Sequence, residues 1–134
     1  MTRLSSWAIR LALLHLGVAF AAGAWLLSAR GFPALAPPPW LRPAHLELAL
    51  LGWTLQLAMG VAYDILPRHA TGAARGSVRV AVVAIALFNI GVLTVVAAAA
   101  ADQSAALLAG RLAEAGGVAL FASNAWPRIK AFGT

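Results

Sequence analysis

The chain has 134 residues, of which 62% are hydrophobic and 10% charged, with a net charge of +6 and no cysteine. A soluble domain carries about 25% charged residues, so this composition, with a mean hydropathy of +0.84, belongs to a membrane protein. The basic residues sit at the ends of apolar runs and form no patch with interleaved aromatics, which argues against nucleic acid as a partner. The lack of cysteine excludes disulfides, thiolate metal sites, iron–sulfur clusters and covalently attached c-type haem.

Four apolar runs are long enough to span a bilayer, at about 7–27, 43–66, 78–101 and 105–126. Each has roughly 20 or more residues, which at 1.5 Å rise covers a hydrocarbon core of about 30 Å. Four segments cannot close a barrel, and spanning backbone must satisfy its own hydrogen bonds, so the fold class is all-α, an integral membrane four-helix up-down-up-down bundle forming a single domain. The first run exceeds the roughly 7–15 residues of a cleavable signal core and reads as a retained helix. The loop at 28–42 holds Pro33, Pro37, Pro38 and Pro39, which cannot continue a helix and favour a stiff, ordered cap. The loop at 67–77 contains Gly72 and Gly76 and reads as flexible. Asp102-Gln103-Ser104 joins the last two spans in a tight hairpin, with Ser104 as a helix cap.

Arg3, Arg10, Arg68, Arg75, Arg79, Arg128 and Lys130 fall on one side of such a bundle, and Arg30, Arg42 and Asp102 on the other. The excess of basic charge faces the cytoplasm, which predicts a multi-pass protein of the bacterial inner membrane with both termini cytoplasmic. Trp40 and Trp126 stand where interfacial aromatics belong.

Ionisable groups inside spans are costly and by default suggest function. At about 100° per residue, Gly52, Gln56, Met59 and Tyr63 lie within about 40° of His45 on the second helix. That face reads either as a helix interface, with Gly52 allowing close approach and Gln56 bonding across it, or as a cofactor groove with His45 as a metal ligand. Glu47 points off this face and reads as a solvated or arginine-paired carboxylate. His15, Asn89 and Glu114 each lie roughly 15 Å into their helices and meet near the midplane. Arg111 stands one turn from Glu114, the spacing of an intrahelical ion pair, and the bland reading adds hydrogen bonds from that pair to His15 and Asn89. Asp64 and Arg68 have the spacing of a second, structural pair, and His69 reads as a loop residue. Ala113, Gly116 and Gly117 suggest close packing of the fourth helix.

The string Pro43-Ala44-His45-Leu46-Glu47-Leu48-Ala49-Leu50-Leu51-Gly52-Trp53, with Gly60-Val61-Ala62-Tyr63 and Leu66-Pro67 after it, is similar to the pattern P-x-H-x-H-x-N-L-L-G-W … G-x-x-Y-x-x-x-P. Leu87-Phe88-Asn89-Ile90-Gly91 is similar to a third-helix motif of the same group. The chain thereby resembles small four-helix bacterial membrane proteins related to subunit I of haem-copper oxidases, in the branch of cbb-type oxidases and nitric oxide reductases. The resemblance implies a b-type haem held between helices by axial histidine. His45 maps onto a ligand position, whereas Glu47, Ala49 and Phe88 replace a histidine, an asparagine and a histidine of the pattern. On this resemblance His45 and His15 are the candidate metal ligands. Gly52, Trp53 and Gln56 belong to the cofactor face, and Arg42 or Arg111 would neutralise the propionates. His15 lies roughly 10 Å too deep to share an iron with His45, so a two-fold homodimer, with His45 from each chain, is the economical arrangement.

Three classes follow for the function. The first is a haem-binding membrane protein in electron transfer or gas sensing. The second is a non-catalytic accessory subunit of a larger membrane complex, and the third is a small transporter or channel. No catalytic nucleophile, nucleotide loop or acid/base pair points to independent enzymatic activity.

Overall fold

The computed structural model describes residues 1–67 and 75–129, and among these every regular element is helical. Arg68, His69, Gly72 and Lys130, and with them the expected Asp64–Arg68 pair, lie outside the described residues. Four helices are long and apolar enough to cross a membrane: α1 (Arg3–Gly31), α2 (Leu41–Ile65), α3 (Val78–Ala101) and α4 (Ser104–Ala125, continued by a 3-10 turn Trp126–Arg128).

Their ends follow local chemistry. Thr2 caps α1 by accepting from the Ser5 N–H, and Ser77 caps α3 by accepting from Val80. Asp102 closes α3 in the left-handed region at φ 52°, a conformation that Asp tolerates better than most residues bearing a Cβ. The expectation that Ser104 caps α4 is corrected: Gln103 occupies the cap position without a side-chain bond, and Ser104 is the first helical residue. The proline-rich loop folds back on α1. Its 3-10 turn Pro33–Leu35 is fastened where the Trp25 indole N–H donates to Leu35 O at 2.9 Å.

The second helix is not uniformly α. Leu48–Leu55 form a π-helical stretch in its middle. A π turn closes i→i+5 bonds and rotates less per residue than an α turn, so the 100° step does not carry through it. Gly52, Gln56, Met59 and Tyr63 do share a buried face, but His45, on the far side of the stretch, is only half-buried.

α1 and α2 are joined by polar links that run in opposite order along the two helices. The Thr2 N–H donates to Asp64, Ser5 Oγ to Gly60 O, Gln56 Nε2 to Ala8 O and His15 Nδ1 to Gly52 O. α3 and α4 meet instead through bare backbone. A Cβ on Gly117 would lie 2.7 Å from Phe88 N, and one on Gly91 2.7 Å from Glu114 N. Gly117 thus packs closely as its sequence suggests, joined by Gly110 against Val95, while Gly116 meets only the Leu87 side chain at 3.4 Å. The two pairs of helices share a core of Leu48, Met59, Tyr63, Ala84, Phe88 and Phe121. Asn89 Nδ2 donates across it to Gln56 Oε1 at 2.9 Å. At one end Arg128, buried despite its charge, donates to the carbonyls of Tyr63, Leu66 and Pro67 and closes the last turn of α2.

Candidate functional site

His45 is placed by α2 against α1, opposite Gly23. Its Nδ1 lies 2.8 Å from Ala19 O, and because a carbonyl only accepts, Nδ1 carries the proton. In the neutral ring Nε2 then presents its lone pair, the tautomer used by metal-bound histidines whose other nitrogen donates to a carbonyl. Gly23 makes this possible, since a Cβ there would stand 2.9 Å from His45 Cε1.

The ring lines two adjoining grooves between α1 and α2. One, of about 410 Å³, is walled by apolar side chains including Leu16, Phe20, Leu27 and Trp53. The other, of about 390 Å³, continues toward the Pro-rich loop and is flanked by Arg30 and Arg42. Arg30 was a mere topology charge in the sequence. The available signal was its position seven residues after Gly23, two turns along the same face of α1.

The remaining site candidates divide. Trp53 and Arg42 line the grooves beside His45. Gly52 does not: it packs against the other histidine, where a Cβ would lie 2.9 Å from His15 Cγ. Gln56 is fully buried and bonded to Asn89 and Ala8, which fits the helix-interface reading of this face. His15 is buried with Nδ1 on Gly52 O at 2.8 Å. It is four residues from Ala19 on α1, so the two rings sit ~6 Å or more apart along the axis. Among the described residues no three His, Asp or Glu side chains gather where they could hold a metal ion.

Arg111 is corrected more sharply. It stands away from the His45 grooves and binds two carboxylates through one nitrogen, Glu47 at 2.7 Å and Glu114 at 2.9 Å. It lines neither groove at His45. Glu47 is accordingly arginine-paired, as one of its two readings had it, and buried at 4% exposure. The expected convergence of His15, Asn89 and Glu114 does not occur, because His15 and Asn89 are bonded to α2 and not to the Arg111–Glu114 pair. At the C-terminal end of α2, Asp64 accepts from Thr2 N–H and lies 3.4 Å from Arg75.

Two polar constellations therefore lie on opposite sides of α2: an open groove with one oriented histidine and two arginines, and a closed carboxylate–guanidinium–carboxylate cluster. No protein-family model, no curated protein and no solved structure matches this chain.

Proposed function

We propose that the chain is an up-down-up-down membrane protein of the bacterial inner membrane, both termini cytoplasmic, that binds b-type haem through His45 for electron transfer or gas sensing. The observation that carries this reading is the state of the His45 ring. Its Nδ1–H is fixed on Ala19 O, and the ring borders an apolar groove with Arg30 and Arg42 at one end. That donor set suits the group. A neutral imidazole nitrogen matches haem iron, Leu16, Phe20, Leu27 and Trp53 match the flat faces of a porphyrin, and the two guanidinium groups match its carboxylates.

Haem iron with nitrogen ligands supplies one-electron chemistry. The protein's own contribution is to orient the ring through its Nδ1–H, to line the groove with apolar side chains, and to neutralise two negative charges at its mouth. The groove is open on one side, and a two-fold partner would bring its own His45 to the same depth. A homodimer in the lipid bilayer, or docking on a larger membrane complex, is thus part of the proposal. A second reading, a cofactor-free accessory subunit, draws support from His15, Gln56 and Asn89, whose hydrogen bonds all serve helix packing.

The test is the visible spectrum of the detergent-purified protein, oxidised and dithionite-reduced, beside His45→Ala and His15→Ala. A Soret band with sharp reduced bands, lost in the first variant and kept in the second, is the expected result. No chromophore after added haemin would leave the accessory-subunit reading.

A further inference from the structure

The Glu47–Arg111–Glu114 cluster has no part in the His45 site. Glu47 comes from α2, six residues beyond Leu41 and so ~9 Å along the helix, and Glu114 from α4, ten residues beyond Ser104, ~15 Å in. Both glutamate side chains are about 95% buried, at 4% and 5% exposure, while the Arg111 side chain between them is 45% exposed. Their Oε2 atoms share one Arg111 nitrogen, at 2.7 and 2.9 Å. Oε1 of each has no partner and no contact with solvent.

The charges do not balance. Two carboxylates and one guanidinium leave one negative charge in a site walled by Leu51, Phe88 and Val118. On the α3 side Gly91 packs closely against Glu114 and brings no charge. Among the described residues Arg111 is the one basic group paired with either carboxylate. Closely spaced carboxylates in an apolar site do not both ionise, and an uncompensated charge at membrane depth is costly. A metal cation is a poor remedy, because hard cations take six or more oxygens and only two are free here. A proton needs no more than the two carboxyl groups present.

We propose that Glu47 and Glu114 share one proton, so that the cluster is a proton-binding site, neutral when loaded and singly negative when empty. Arg111 holds the two carboxyl groups together and, being half-exposed, marks the side from which the proton enters and leaves. Release breaks one carboxyl O–H bond and passes H⁺ to water entering the cavity of about 550 Å³ that Arg111 and Glu114 line; uptake reverses it.

The chain suits a direct test, because it has four acidic side chains in all. Infrared spectra of the full-length protein in liposomes report protonated carboxyl groups by their C=O stretch. At neutral pH the expected spectrum has one such band per chain. It shifts when glutamate alone is carbon-13 labelled, disappears at alkaline pH, and is lost in both Glu47→Gln and Glu114→Gln, since either remaining carboxylate then pairs with Arg111 alone. A spectrum without the band at neutral pH overturns the proposal. So does a band insensitive to glutamate labelling, which needs no variant to fold, or one retained in either glutamine variant.

Discussion

The two helical hairpins solve one problem in different ways. α3 and α4 approach until backbone touches backbone at Gly91, Gly110 and Gly117, and α3 is the most apolar helix of the chain. α1 and α2 remain linked by side chains, with Ser5, His15, His45 and Gln56 each placing a polar atom on a carbonyl of the facing helix. For helices this apolar, in lipid, the hydrophobic drive to associate would be absent, and close van der Waals packing and interhelical hydrogen bonds are what would remain. Where glycine provides contact, no polar bonds are needed. Where polar bonds hold the helices, side chains stay between them, and grooves such as that at His45 persist.

The difference can be broken from either side. Gly91→Val should have the largest effect, about 3 kcal/mol of destabilisation or more, because the new side chain meets backbone atoms that cannot yield. Denaturant unfolding followed by circular dichroism would read it. Loss of less than a third of that would mean that α3 and α4 are not held by backbone contact. Arg128→Ala comes next. It strips three carbonyls at the end of α2 of their donor and should cost about 2 kcal/mol, with faster hydrogen exchange confined to the last turn of α2. Unchanged exchange there would deny Arg128 its capping role. Ser5→Ala is the mildest, at about 0.6 kcal/mol, since the Gly60 carbonyl it releases still has its helical partner. A cost as large as that at Gly91 would erase the contrast between the hairpins.

Much of the fold is legible in composition. The apolar runs, the prolines at 33 and 37–39 and the Asp102 turn mark four helices and their joints to within a few residues, because lipid leaves so few alternatives for the backbone. α1 alone runs well past its expected ends, from Arg3 to Gly31, since helical backbone satisfies its own hydrogen bonds whether or not the flanking residues are apolar. The sites were less legible. The π stretch at Leu48–Leu55 has no distinct sequence signal, and it separates His45 from the Gly52–Tyr63 face that an even α-helix would have given it.

What the sequence determined by itself was the class of molecule and the inventory of costly groups: His15, His45, Glu47, Arg111 and Glu114 stand out because charge is scarce in this chain. Only the tertiary structure decided their company. It put Arg111 on Glu47 instead of beside His45, spent His15 and Gln56 on helix packing, and brought Arg30 to the groove. Depth along a helix follows from counting residues. Which helix faces which, and how a π turn rotates one side chain away from the next, depends on packing between segments far apart in the chain.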